Sequence, residues 1–298
     1  MEERMKLKIM TWNIRGAAAL GWDKRDVIKS KAVDAVIEQK ADVIVLTEFV
    51  VGKGLDYLLE RLHNEKYIWF ISSCSGKNGI LIAIKENLLV EEKNSLEKLK
   101  DKIYKENRIS SVIEDCNILK VTVPLKCDKE LCIIGCRMET SLADKDKNEY
   151  DCRGTSFKQI LLPQIPDRNK QELCIICGDF NNAKHYGSLK AKFEEVEEKY
   201  WTQDWDSVKK KYVGEKYKRA QYNYNLHTIK DNLSKKGLEL CELEKNFTYE
   251  KYKQKIHEDH IFVRGFNYEE KSGVVILEKE MSDHNILWAE VEEKEEKA

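Results

Sequence analysis

Leu173-Cys174-Ile175-Ile176-Cys177-Gly178-Asp179-Phe180-Asn181-Asn182 is the stretch that decides the fold. An apolar, β-branched run of strand length, cut off by Gly-Asp-Phe-Asn, reads as a buried strand. Burying Asp179 at its end costs several kcal/mol unless a cation or hydrogen bonds compensate it. A strand that delivers an acid and, two residues on, an amide reads as a polar site on a rigid support. Taken alone, the stretch reads first as an ordinary strand-to-turn exit, because Gly, Asp and Asn are the usual turn formers. The rest of the chain has to decide between the two.

Working outward, the same pattern recurs. Leu7–Asn13 alternates and ends on Asn13; Asp42–Glu48 is apolar and ends on Glu48; Leu131–Arg137 is apolar and ends on Arg137. Between the first two, Val27, Ile28, Ala32, Val33, Val36 and Ile37 recur at helical spacing, which predicts an amphipathic helix over 25–39. Strand, helix and strand in this rhythm imply a βαβ unit. A second helix is expected over 54–63. Tyr67–Ser72 and Gly79–Ile84, separated by Ser, Gly and Asn, read as a strand pair. Val112-Ile113 and Ile118–Val123 read as strands, residues 91–108 as a charge-dense loop or helix, and 154–165 as a helix stopped by Pro163 and Pro166. Further short strands are expected at Phe247–Tyr249, His260–Val263, Val274–Leu277 and Ile286–Val291, with a frayed charged tail beyond Glu292.

Composition sets the limits. The chain has 298 residues, 42% hydrophobic and 35% charged, with a net charge of −1. That composition is a globular protein with a heavily charged surface, and no global positive field draws it to nucleic acid. Nine cysteines, several inside apolar runs, read as reduced thiols in a cytoplasmic protein. Cys174 and Cys177 on one strand are a poor zinc knuckle. No run of about 18 apolar residues exists for a membrane span. In the polar section at about 184–246, Trp205, Tyr212, Tyr217, Tyr222 and Tyr224 interleave with Lys209, Lys210, Lys211, Lys216, Lys218 and Arg219. That mix suits a phosphate-bearing ligand whose rings stack on aromatics. It also reads as a solvated face, since Asp206 and Glu215 lie there too.

If neighbouring strands present Asn13, Glu48, Arg137 and Asp179 at one rim, with Asp259 and Asp283-His284 standing before later strands, several carboxylates meet. Like charges that close call for a cation. Oxygen donors with a single His favour a hard ion, Mg²⁺ or Mn²⁺, over zinc. A hard ion beside a carboxylate and a His is equipment for attacking a phosphate ester.

Thr11-Trp12-Asn13, Leu46-Thr47-Glu48, Gly178-Asp179-Phe180-Asn181, Asp259-His260-Ile261-Phe262 and Ser282-Asp283-His284 together resemble the ordered motif set of the endonuclease/exonuclease/phosphatase superfamily, which includes deoxyribonuclease I-like and exonuclease III-like enzymes. The resemblance spans residues 7–291. It implies an α/β fold, a four-layer sandwich of two mixed β-sheets packed face to face with flanking helices, in a single domain over residues 1–298. It implies Glu48 as main metal ligand with Asn13 and Asp283 close to the ion or its waters. Asp179 would activate the attacking water and Asn181 would position it. His284 would contact the phosphate, with Asp259 fixing its tautomer.

One departure stands out. Where many relatives carry a His, this chain has Arg137, which stays charged and cannot act as a general acid but can grip a phosphate. Arg153 is a second candidate phosphate contact. His63, His185, His227 and His257 match nothing and are read as surface residues, and Tyr104 has only its position to recommend it. The function implied is a Mg²⁺- or Mn²⁺-dependent phosphodiesterase acting on nucleic acid. The alternatives are a phosphatase or phosphodiesterase for a small phosphorylated metabolite or lipid head group, and a binding module without activity.

Overall fold

The computed structural model describes residues 4–14, 28–49, 54–72, 79–90, 117–138, 149–169, 172–186, 224, 226–242, 247–251, 254–278 and 281–295. The expected strand Val112-Ile113, the charge-dense stretch 91–108, Tyr104, and all of the basic-aromatic section except Tyr224 lie outside the described residues.

Two six-stranded sheets form the centre. The first runs β11 (Phe266–Val275), β12 (Ile286–Glu293), β1 (Lys6–Asn13), β2 (Val43–Phe49), β4 (Gly79–Lys85), β3 (Tyr67–Ile71). The second runs β5 (Ile118–Pro124), β6 (Glu130–Arg137), β7 (Leu173–Tyr186), β10 (Gln254–Arg264), β8 (Glu239–Leu240), with β9 (Tyr249–Lys251) paired to β10. Each sheet is mixed: β1 and β2 run parallel, as do β6 and β7, while their neighbours are antiparallel.

Strand alternation builds the layers. Side chains of one parity (Ile9, Val43, Val45, Ile82) meet Ile133, Ile175, Ile261 and Val263 between the sheets. Those of the other parity (Met10, Ile44, Leu46) pack under α1 (Ser30–Glu38) and α2 (Leu55–Asn64). On the far side, Ile134, Ile176 and Phe262 pack under the helical run after α3 (Glu149–Thr155) and under α4 (Leu226–Lys235). Strands buried on both faces explain their continuous apolar sequence. At roughly 1.5–3 kcal/mol for each large aliphatic side chain removed from water, these three clusters are the main source of stability. The face-to-face sandwich with flanking helices expected from the motifs is the fold observed. At Gly135 the sheets pack tightly: a Cβ there would lie 2.7 Å from Ile80 Cγ2 and 2.9 Å from Val45 Cγ1.

Several element expectations need correction. The helix expected over 154–165 begins earlier, at Glu149, opens into a π-helical stretch at Ser156–Leu161 and closes in the turn Leu162–Gln164. Pro163 does not stop it at once: the chain stays helical through Gln164. The chain leaves helical geometry at Ile165, the residue before Pro166. The polar section contains α4, whose apolar residues Ile229 and Leu233 are buried four apart. The strand expected at 260–263 is part of the longer β10, whereas that expected at 274–277 only overlaps the end of β11, which stops at Val275.

Candidate active site

Strand direction gathers the motifs. β1 and β2 are parallel, so Asn13 and Glu48 stand at the same rim of the first sheet. β12 runs antiparallel to β1, so the Ser282-Asp283-His284 loop that precedes it returns to that rim. In the second sheet Arg137 is the register partner of Asp179 across the parallel pair, and Asp259 is the partner of Asp179 across the antiparallel pair.

Local backbone geometry then aims the side chains. Glu48 has φ +52° and interrupts the β2–β4 register between Thr47 and Phe49, a bulge that re-aims its side chain. Gly178 has φ +144°, and a Cβ there would lie 1.9 Å from the Cys136 carbonyl oxygen, so only glycine fits. Asn181 has φ +49°, a conformation asparagine tolerates better than most residues. The β7–β10 register shifts between His257 and Asp259: Glu258 alone faces residues 180–183 of β7, so the extra residues lie in β7, just after Asp179.

Asp179 is buried, with 1% of its surface exposed. Its Oδ1 accepts the Asn181 backbone N–H at 2.8 Å. Its Oδ2 accepts Asn13 Nδ2 at 2.8 Å and Asn181 Nδ2 at 3.1 Å. Asn181 Nδ2 is itself anchored on the Met138 carbonyl at 2.9 Å. These donors offset part of the repulsion expected between two carboxylates placed opposite each other, Asp179 and Asp259. Burial still dominates. It pushes the Asp179 carboxyl up to about 6, with His284 and Arg137 opposing the rise and Asp259 and Glu48 adding to it.

His284 Nδ1 donates to Asp259 Oδ2 at 2.8 Å, in a pair almost wholly withdrawn from solvent. Burial acts against the imidazolium, but the charge and hydrogen bond of Asp259, aided by Asp179 and Glu258, raise His284 to about 10. The loop carrying it is tied to β1. Ser282 Oγ donates to the Asn13 carbonyl at 2.8 Å and accepts the His284 N–H at 3.0 Å, while Trp12 Nε1 donates to the His284 carbonyl at 3.1 Å.

Arg137 occupies a place the sequence did not foretell. Its Nε and Nη2 lie 2.8 Å and 2.7 Å from the same Glu48 oxygen, Oε1, which Asn13 Nδ2 also approaches at 3.3 Å. Burial raises the Glu48 carboxyl, but Arg137 and His284 outweigh it and hold the group below its ordinary value.

The donor set can be tested against a hard cation. Four carboxylates (Glu48, Asp179, Glu258, Asp259) act on one another with three cationic side chains, Arg137, Arg153 and His284, among them. Asp259 Oδ1 is buried and has no hydrogen-bond partner among the described residues. Among those residues, no three His, Cys, Asp or Glu side chains stand at metal-ligand spacing. An ion here would therefore use one or two carboxylates, with amide, water and substrate oxygens completing its shell, which is the usual habit of Mg²⁺.

Some residues expected at the surface or in the cleft lie elsewhere. His257 is buried, edge-on to His260 with ring centroids 4.7 Å apart, and His260 meets Phe180 at 5.6 Å. His63 and His227 are exposed, and the His185 side chain is outside the described residues. Tyr224 is no stacking platform: it is fully buried, and its hydroxyl donates to the Phe180 carbonyl at 2.5 Å. Arg153 is buried on α3, where its charge acts on Glu258 and Tyr224. Cys174 and Cys177 face opposite sides of β7, one under the helices and one between the sheets, so they form no metal knuckle. Glu258 was missed. Burial, followed by the charge of Asp179, pushes it up to about 8. The signal for it is the adjacent pair Glu258-Asp259 in a largely buried strand, which breaks the two-residue alternation.

The Endonuclease/Exonuclease/phosphatase family pattern matches residues 10–284, and the chain belongs to that family. Its fold is similar to that of an endonuclease/exonuclease/phosphatase from Beutenbergia cavernae (TM-score 0.59, 15% identity, 98% of this chain and 72% of that one). It is also similar to an AP endonuclease from Archaeoglobus fulgidus (TM-score 0.53, 15% identity, 95% and 98%). A third similar structure is ANGEL2, a 2′,3′-cyclic phosphatase (TM-score 0.53, 14% identity, 97% and 95%). At these identities the likeness shows the fold alone. No curated protein sequence matches the chain. Among the described residues no helix is long and apolar enough to cross a membrane.

Proposed function

We propose that the protein is a Mg²⁺- or Mn²⁺-dependent phosphoesterase, and that its first substrate class is the phosphodiester of DNA or RNA. The observation that carries this reading is the pairing of two differently tuned groups at one rim. Asp179 is a buried carboxyl near 6, held by Asn13 and Asn181, and His284 is kept cationic by Asp259. A group near neutrality is matched to taking a proton from water, and a buried cation is matched to the charge that develops on phosphate oxygens.

Each residue has a role in this scheme. Asp179 accepts the proton of the attacking water, and Asn181 orients that water or a phosphate oxygen. His284 binds the phosphate and stabilises its charge. Glu48 and Asn13, with Asp283 as a further candidate, would hold a divalent ion, which when bound would supply Lewis-acid stabilisation of the phosphate. Arg137 shares Glu48 and grips a phosphate oxygen with its remaining N–H groups. Because Arg137 cannot give up a proton, the leaving oxygen takes its proton from water. The free thiols of Cys132, Cys136, Cys174, Cys177 and Cys241 support a cytoplasmic setting.

A second substrate class, a small phosphorylated metabolite or lipid head group, is favoured by the net charge of −1, which supplies no long-range attraction for a polyanion. One screen separates the two. Single- and double-stranded DNA and RNA, phosphorylated metabolites and phospholipid head groups are each incubated with Mg²⁺ or Mn²⁺, with Asp179→Asn as the blank. Cleavage of the polymers supports the first class. Intact polymers beside a hydrolysed metabolite or head group establish the second. If every substrate survives, the reading fails.

A further inference from the structure

We propose that Thr248 is a positioning residue that joins the two sheets at the site and sets the contact between Asp259 and His284; this rests on the reading of His284 as the phosphate-binding group. Asp259 and His284 come from different sheets, one on β10 and the other in the loop before β12. Their 2.8 Å contact therefore depends on how the sheets are spaced at this rim.

Thr248 is fully buried and touches both sides. Its Oγ1 accepts two backbone N–H groups, from Glu258 at 3.0 Å and Asp259 at 3.1 Å. Glu258 lies within the β7–β10 register shift and Asp259 resumes the pairing, so the hydroxyl accepts N–H groups where the ladder is interrupted. On the other side, the Thr248 carbonyl accepts the Asn285 N–H at 2.6 Å. Asn285 completes the clamp. Its Nδ2 donates to the Phe247 carbonyl at 3.2 Å, and its Oδ1 accepts the Leu277 N–H at 3.0 Å. Tyr249 makes an isolated bridge to His284, and their rings lie 4.7 Å apart. One residue thus holds the backbone that carries Asp259 with its side chain, and the backbone next to His284 with its carbonyl.

Chemistry makes the hydroxyl specific. Valine has the shape of threonine but would leave the Glu258 and Asp259 N–H groups without their acceptor, so this part of β10 must shift to find others. Serine keeps the acceptor and loses only a methyl group. A shift near 1 Å at the Asp259 carboxylate is enough to lose turnover on the order of 10²-fold without touching the substrate.

The test compares wild type, Thr248→Val, Thr248→Ser and Asp259→Asn by two readouts. The first is turnover of bis-p-nitrophenyl phosphate with Mg²⁺. The second is the far-downfield proton resonance of the His284 Nδ1–H···Asp259 bond, assigned by its loss in Asp259→Asn. Thr248→Val is expected to lose kcat with little change in KM and to lose or displace the downfield proton while still folded, whereas Thr248→Ser keeps both. A folded Thr248→Val with normal kcat and an unmoved resonance would overturn the proposal. If Thr248→Val does not fold, Thr248→Ala, which removes the same acceptor and adds no bulk, takes its place. An unmoved resonance there would overturn the proposal equally. The resonance needs no substrate, so a wild type that hydrolyses nothing defeats the catalytic reading and leaves this test standing.

Discussion

Two titrating groups at the site work against each other in stability, and the signs can be followed. Asp179 is raised from 3.8 to about 6, so the folded state binds its proton more tightly than the unfolded chain does. Stability is lost as pH rises through that interval, by up to about 3 kcal/mol when the ion is absent. Asp179→Asn should therefore abolish turnover and yet melt no lower than wild type at pH 7 without metal; a melting temperature several degrees lower would contradict it. His284 is raised from 6.5 to about 10. The stability it supplies is fully present below pH 6.5 and is lost as pH climbs through about 10. Thermal melts of Asp259→Asn between pH 6 and 10.5 should show that alkaline decline flattened. At Glu48, Arg137 competes with any divalent ion for the same carboxylate. Arg137→Ala should thus lower the half-saturating Mg²⁺ concentration and weaken kcat/KM, both read from metal titrations of activity. An unchanged metal requirement would separate Arg137 from the ion. The Arg137–Glu48 pair was not legible in the sequence, because an arginine at a strand end reads alike whether it holds substrate or a neighbouring acid.

Among elements, strand ends carried most of the information. Glu48 and Asp179 could be read as site residues because acids are costly at the ends of apolar strands. What could not be read was the irregular backbone that aims them: the left-handed Glu48 and the extra residues of β7 after Asp179, opposite Glu258. Bulges disrupt the two-residue period, so they look like noise in a sequence. The buried His257 was misread as well, since Lys255 before Ile256 and the acids Glu258-Asp259 after it hid a strand that is buried at that position. Gly178 gives the sharpest test at this scale. A side chain there must displace the Cys136 carbonyl and adopt φ +144°. Gly178→Ala should lower the urea midpoint by several kcal/mol of equivalent stability or prevent folding. Near-normal stability would mean that the turn before Asp179 is not the rigid support described.

For the whole molecule, the alternation of apolar strands with an amphipathic helix was legible because the two have different periods, and the two-sheet sandwich followed from the motif resemblance. Strand order was not legible. It is fixed by which edges pair, and only the pairings β1–β2, β1–β12, β6–β7 and β7–β10 bring Asn13, Glu48, Arg137, Asp179, Asp259 and His284 to one rim. α4 was missed because its apolar face is narrow within a charge-rich section. The central claim is that this rim hydrolyses phosphoesters and that Asp179 does so as the group receiving water's proton. The most direct measurement is Mg²⁺-dependent phosphodiester hydrolysis by wild type and by Asp179→Asn, side by side at pH 7.5. The account predicts turnover in wild type that vanishes on removing Mg²⁺ and vanishes again in Asp179→Asn, although that variant remains folded. Undiminished hydrolysis by Asp179→Asn would contradict it.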